Sequence, residues 1–201
     1  SSWEKINNCR KMLEEKIKKH EIMYGITTGI GEFSEITLSP GQTKEFQKLL
    51  VRNHAAGIGN PMDIDVVRAA ICGRINVHVK GYSGGRKQIT EYLKDVLNYN
   101  ITPVVCEKGS VGACGDLAPM SQIALALMGE GEMFVKDEII DSKSALKNIG
   151  LKPLQLEARD GLALINGSNV LTALAGLILH DAEKWIKMHD IAASMTLEAL
   201  K

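Results

Sequence analysis

Apolar positions recur every three or four residues along most of this chain. Gly and Pro interrupt the recurrence at intervals, which predicts helices joined by irregular loops. Residues 3–20 form a charged amphipathic run with Ile6, Leu13 and Ile17 near one helical face. The period is lost over residues 24–35, where three glycines and several Thr and Ser mark a loop. Ser39 followed by Pro40 reads as an N-cap with proline at the first helical position, opening a helix to about residue 54. Gly57-Ile58-Gly59-Asn60-Pro61 stops it. Helices are predicted next at about 63–80 and 86–99, parted by Gly81-Tyr82-Ser83-Gly84-Gly85.

Residues 100–103 read as a turn and Val104-Val105-Cys106 as a short extended piece. A glycine-rich loop over 107–116 leads into a buried helix over 117–129 that starts near Pro119. Residues 133–140 predict a small hairpin about Lys136-Asp137, and 142–150 a short helix closed by Gly150. A long apolar-periodic helix over 158–189 is interrupted near Asn166-Gly167. The expected fold is mainly α, with irregular glycine-rich loops and one small hairpin.

Composition adds exclusions. The chain has 201 residues and is 45% hydrophobic, enough for a substantial core and unlike a disordered segment. Lys+Arg and Asp+Glu each number 24, so the formal net charge is zero and nothing favours nucleic acid or an anionic membrane as partner. Cys9, Cys72, Cys106 and Cys114 lie far apart without a CxxC pair, which argues against zinc and for free thiols in a reducing cytoplasm. No metal is expected. The most apolar stretch, residues 170–179, is expected to be too short to span a bilayer. The chain opens Ser1-Ser2-Trp3 without Met or a signal-peptide pattern and ends inside a helical run, so it reads as a trimmed chain or part of a longer protein.

The chemistry concentrates in Val111-Gly112-Ala113-Cys114-Gly115-Asp116-Leu117-Ala118-Pro119. A small residue, a residue with a β-heteroatom and a glycine stand in a row inside a glycine-rich turn. The glycine nitrogen is little shielded and can attack the carbonyl two residues back. The middle residue can then lose its β-substituent, and thiolate is a competent leaving group. The product is an exocyclic methylidene, an electrophile that no unmodified side chain supplies. Gly112 and Gly115 give the compressed loop its backbone freedom.

Other candidates have plain structural readings when taken singly. Tyr24 is a loop tyrosine, His54 a helix-terminal residue and Asn166 part of an Asn-Gly turn. Asp116 is an N-cap for the helix that follows it, or a group assisting cyclisation by proton transfer, or both. A different enzyme class would use Cys114 as a nucleophile activated by His54, although the flanking residues match no hydrolase signature. A GxxxxGK[ST] phosphate loop is absent from the sequence.

Four segments in order resemble the aromatic amino acid ammonia-lyase and aminomutase family, whose Ala-Ser-Gly tripeptide matures to 4-methylidene-imidazol-5-one (MIO). They are Tyr24-Gly25-Ile26-Thr27-Thr28-Gly29-Ile30-Gly31, Leu50-Val51-Arg52-Asn53-His54-Ala55-Ala56-Gly57-Ile58-Gly59, Ala113-Cys114-Gly115-Asp116, and Gly161-Leu162-Ala163-Leu164-Ile165-Asn166-Gly167. Lys80-Gly81-Tyr82-Ser83-Gly84 is a fifth, weaker match. The chain departs from the family at Cys114, where Ser is usual.

The resemblance implies the N-terminal part of the family's helical fold over residues 1–201, ending within the start of a central helix bundle, with the C-terminal half absent. It implies MIO from Ala113-Cys114-Gly115, with Asp116 assisting maturation. Tyr24 would be the base that removes the β-proton. A free tyrosine titrates near ~10, so the site must favour phenolate. Asn53, His54 and Asn166 would contact the substrate. Histidine-specific members carry Ser-His at the pair, where this chain has Asn53-His54. The implied reaction is non-oxidative loss of ammonia from an aromatic or imidazole amino acid, histidine to urocanate favoured. An aminomutase and an inactive half-length scaffold are the alternatives. The implied partners are a homo-oligomer, tetrameric in the family, or a separate C-terminal chain. The helical positions Leu171, Leu174, Ile178 and Trp185 are the candidate docking stripe.

Overall fold

The structure is a computed structural model that describes residues 1–136 and 138–201. Asp137, at the apex of the expected hairpin, lies outside the described residues. Among them are eight α-helices and five short strands.

Helix α1 (Ser2–Lys18) begins at a reciprocal cap in which the Ser1 hydroxyl and the Glu4 carboxylate each take a backbone N–H of the other. Helix α2 (Pro40–His54) starts as the sequence predicts. Ser39 N–H donates to Gln42 Oε1 at 2.9 Å, the Gln42 N–H returns to the Ser39 hydroxyl, and Pro40 sits where no N–H is needed. Helices α3 (Ile64–Val79) and α4 (Lys87–Asn98) fall within a residue or two of their expected bounds.

Helix α5 (Leu117–Leu127) begins at Leu117 rather than near Pro119. A proline is tolerated in a first turn because the early N–H groups have no intrahelical acceptor. Helix α6 is Ser142–Asn148. The long predicted helix is split in two. Helix α7 (Asp160–Ile165) begins after Arg159, which has a left-handed φ of 77°, and α8 runs over Asn169–Leu200, well past residue 189.

The strands correct three readings. Ile58–Pro61, expected only as a helix stop, is β1 and pairs antiparallel with β3 (Cys106–Lys108), the start of the expected glycine-rich loop. Ile101–Pro103, expected as a turn, is β2. It pairs with β4 (Glu132–Val135), which pairs with β5 (Glu138–Asp141) as the expected hairpin. Each strand is three or four residues long, too short to show a period of two.

Helix α5 is the axis of the core. Met120, Ile123, Ala124, Ala126 and Leu127 are all buried, and the helix packs on α2 and α7. Helix α3 lies against α4 and the first part of α8. A buried carboxylate, Asp160, knots three helices: it accepts from Arg86 Nε at 2.6 Å and from the Arg86 and Glu157 N–H groups, with Arg10 Nη1 at 3.7 Å.

Helix α8 differs from the rest. Only Asn169, Val170 and Ala173 are buried, whereas Leu171, Ile178, Trp185, Ile191 and Met195 are more than half exposed. The apolar stretch extends beyond the expected residues 170–179, and by length and composition alone, with no other sign of a membrane, it reaches the length of a bilayer span. The run Asp160–Leu200 holds an 18-residue window of mean hydropathy 1.8. The reason is that moderately apolar residues continue on both sides of residues 170–179.

Candidate active site

The tyrosine loop is held by its own hydroxyls and by one buried amide. The Met23 N–H donates to Thr27 Oγ1 at 2.8 Å and the Gly25 N–H to Thr28 Oγ1 at 3.2 Å. Gly25, with φ +64°, turns the chain under the side chain of Leu162, and a Cβ there would lie 2.7 Å from Leu162 Cδ2. Gln47, fully buried on α2, donates Nε2–H to the Gly25 carbonyl at 3.2 Å and accepts the Leu162 N–H on Oε1 at 3.1 Å. One α2 side chain thereby ties the tyrosine loop to α7. Tyr24 itself is 60% exposed, and its hydroxyl oxygen accepts the Gly31 N–H at 3.1 Å.

His54 is the last residue of α2. Its Nδ1 lies 2.8 Å from the Leu50 carbonyl. A carbonyl only accepts, so Nδ1 carries the proton and Nε2 of the neutral ring is left as an acceptor.

The tripeptide loop is bent at Gly109, Gly112 and Gly115, all at positive φ. Gly115 leaves no room for a side chain: a Cβ would lie 2.8 Å from backbone atoms of Gly167. The next residue, Asp116, donates its N–H to the Gly167 carbonyl at 2.9 Å.

The Asp116 carboxylate is buried and does not cap its own helix, which corrects the sequence reading. Oδ1 accepts the Ser110 hydroxyl and Oδ2 accepts the Leu171 N–H, each at 2.9 Å. Leu171 is in the first turn of α8, so Asp116 satisfies an orphan donor of a helix that starts fifty-odd residues later in the chain.

These segments meet. Tyr24, His54, Cys114 and Asn166 line one cavity of about 570 Å³. Asn53, His54, Ala113, Cys114 and Gly115 line a second of about 220 Å³. His54 and Cys114 border both, so the tripeptide stands between the two. Asn53 opens only onto the smaller cavity, away from Tyr24 and Asn166, which separates the two members of the Asn53-His54 pair. Asp116 lines neither cavity. Cys114 is exposed, and among the described residues no hydrogen bond joins it to His54. All four cysteines are free thiols.

Sequence reasoning missed two of the cations here. Arg74, Lys80 and Arg159 line the larger cavity, and among the described residues no carboxylate lines it. Arg74 is 3% exposed, donating Nη1–H to the Ala163 carbonyl at 3.1 Å and Nη2–H to the Asn166 carbonyl at 2.6 Å. Burial, with Arg159 nearby, pushes it down to about 10. His78, one turn further along α3, donates Nε2–H to the Ala163 carbonyl and accepts the Thr90 hydroxyl on Nδ1, each at 2.9 Å. Burial pushes its imidazole down to about 4, the Ala163 carbonyl opposing and Arg74 and Arg159 adding to the shift. The missed signal was a basic residue on the apolar seam Val67, Ile71, Arg74, His78 of α3, where charged groups are rare.

The arrangement fits the tripeptide chemistry on three counts. Cys114 projects into open space, Gly115 is constrained to be glycine, and the loop is clamped at its Asp116 end.

The family model for aromatic amino acid lyases matches residues 1–201. Histidine ammonia-lyase of Alkaliphilus metalliredigens is 43% identical over 195 residues, 97% of this chain and 38% of that protein. The crystal structure of histidine ammonia-lyase from Trypanosoma cruzi is similar with a TM-score of 0.79 at 33% identity, covering 86% of this chain and 34% of the other. Phenylalanine aminomutase of Pantoea agglomerans superposes with a TM-score of 0.89 at 28% identity, over 94% of this chain and 36% of that one. The chain thus spans about two fifths of the length of the curated relatives it matches. Matched end to end by the family model and built on the same helical fold, the chain belongs to the aromatic amino acid lyase family.

Proposed function

We propose that this chain is the N-terminal part of an ammonia-lyase that removes ammonia non-oxidatively from an aromatic or imidazole amino acid, with histidine to urocanate the favoured conversion. The observation that carries the reading is the convergence of Tyr24, His54, Cys114 and Asn166, from four separate segments, on one cavity.

Maturation requires the Gly115 nitrogen to attack the Ala113 carbonyl carbon with loss of water. Cys114 then loses its Cα proton, and its Cβ–Sγ bond breaks to release hydrogen sulfide. The resulting methylidene group supplies the electrophile that activates the substrate toward loss of ammonia. Asp116, the residue after the ring-closing Gly115, is the group proposed to assist by proton transfer.

The chain's own side chains account for the rest. Tyr24, held by Gly31, is the base for the β-proton. His54, with Nδ1–H committed to Leu50, presents Nε2 as acceptor to an imidazole N–H, which favours histidine over phenylalanine. Asn166 has its backbone carbonyl pinned by Arg74 and offers its side-chain amide to the substrate. The three cations along the cavity suit a substrate that carries a carboxylate.

Similarity to a phenylalanine aminomutase keeps a second reading open, re-addition of ammonia at the β-carbon. Product analysis separates the two, an α,β-unsaturated acid against a β-amino acid. A homo-oligomer or a complex with a C-terminal chain in the cytoplasm completes the proposal.

An intact mass tests its foundation. A matured chain weighs less by one water and one hydrogen sulfide and gains a near-ultraviolet chromophore. A full mass with four titratable thiols sinks the electrophile and leaves the chain as an inactive relative, or as the thiol enzyme if alkylation abolishes a hydrolase activity.

A further inference from the structure

We infer that Arg74 is a positioning residue: its guanidinium fixes the backbone of Asn166 and Gly167 against the Gly115–Asp116 end of the tripeptide loop. The geometry stands alone, and only the chemical consequence rests on the function proposed above.

Arg74 sits on the core-facing seam of α3 with no ion-pair partner among the described residues. Its Nε is buried and unbonded. Two of its donors instead reach the carbonyls of Ala163 and Asn166, at the end of α7, where carbonyls lack intrahelical partners. A planar fork can hold two carbonyls at fixed separation, whereas an ammonium is a single point donor. His78 shares the Ala163 carbonyl and, held by Thr90, closes the joint from the next turn of α3.

The fork also packs flush on glycine. A Cβ on Gly167 would lie 2.2 Å from Arg74 Nη2. Gly167 also meets the tripeptide: its carbonyl takes the Asp116 N–H at 2.9 Å, and a Cβ on Gly115 would strike its backbone at 2.8 Å. Arg74 and Gly115 are therefore both packed directly on Gly167. The cyclising nitrogen belongs to Gly115, so a shift of Gly167 is passed to the reacting atoms directly. Misplacement on the order of 1 Å is enough to slow a positioned reaction by about a hundredfold.

Amide hydrogen exchange and intact mass together test this in the full chain. Arg74→Lys keeps the charge and loses the fork. Exchange at the Asp116 and Asn166 amides is expected to rise about tenfold or more while α4 and α5 keep their protection. The fraction of chains lighter by one water and one hydrogen sulfide is expected to fall about tenfold at matched times.

Gly167→Ala attacks the same contact from the other side without removing charge, at a residue whose φ is not left-handed. It should reproduce the pattern, and it decides the matter if Arg74→Lys does not fold. Exchange at Asp116 and Asn166 within about twofold of the parent, or protection lost evenly across α4 and α5, overturns the assignment. An unchanged matured fraction also overturns it. If the parent chain never loses the two small molecules, the proposed function fails, and the exchange measurement still decides the role of Arg74.

Discussion

The roles proposed for Tyr24 and His54 divide between chemistry and selectivity. The Tyr24 oxygen accepts one backbone N–H, and its ring is mostly in solvent, so Tyr24→Phe removes a hydroxyl with little effect on packing. In the assembly that turns substrate over, the loss of the proposed base should cut turnover on every substrate by a factor on the order of 10²–10⁴. His54→Leu should instead lower the preference for histidine over phenylalanine, because the apolar side chain leaves the imidazole N–H without its acceptor. Steady-state kinetics on both amino acids reads the two effects. Near-normal turnover in Tyr24→Phe removes it as base, and an unchanged substrate ratio in His54→Leu removes His54 as the discriminating residue. Asp116 shows a third kind of role at this scale. Both hydrogen bonds of its carboxylate go to groups outside its own helix, and a single residue joins the tripeptide loop to the start of α8.

At the level of elements, the joint between α3 and α7 is the most specialised contact of the fold. It packs a neutral imidazole and an unpaired guanidinium around two carbonyls. His78 binds its proton far more weakly when folded, at about 4 against the ordinary 6.5. The unfolded chain therefore holds more protons between those values, and stability falls as pH drops from 6.5 toward 4 and is fully present above 6.5. At about 1.36 kcal/mol per pH unit, the contribution is on the order of 3 kcal/mol. Denaturant midpoints taken across that range should show the slope in the parent chain and a smaller slope in His78→Gln. Parallel curves would mean that His78 titrates alike in both states. The same joint explains why the long predicted helix breaks where it does. The chain leaves helical geometry at Asn166, and Arg74 takes the carbonyls that the break exposes.

For the whole molecule, the odd feature is α8. Beyond Ala173 it presents Ile178, Leu179, Trp185, Ile186, Ile191 and Met195 to solvent, interspersed with charges from Asp181 onward. An apolar surface of this length is far more than a soluble chain leaves bare without a partner. In a chain that spans about two fifths of its relatives, we propose it as the face on which further subunits or a C-terminal chain would pack. Sedimentation should detect an oligomer or a stable complex, and Trp185→Asp should weaken it. A monomer that stays soluble and unchanged by Trp185→Asp would count against the face.

Local order in this protein was readable from the chain alone. The helices follow from a period of 3.6 and from caps such as Ser39-Pro40, because amphipathic spacing reports which side of an element avoids water. The family follows from four short motifs in order. The hairpin of β4 and β5 was legible from its flanking turn residues, whereas β1, β2 and β3 were not, since three or four residues carry too little alternation to separate a strand from a loop.

The site was half legible. Tyr24, His54, Cys114 and Asn166 could be named from the sequence, but their meeting in one cavity depends on Gln47 binding Gly25 to Leu162 and on Arg74 binding the end of α7. Those partners lie 22 to 115 residues apart in the chain. Tertiary structure alone also decided that Asp116 caps α8 instead of α5, and that Asn53 faces a different cavity from Tyr24. Periodicity says that a side is buried and is silent on what buries it. The hydrogen-bond partner of a buried polar group is chosen by which distant backbone the packing of helices brings within about 3 Å, and no local pattern encodes that choice.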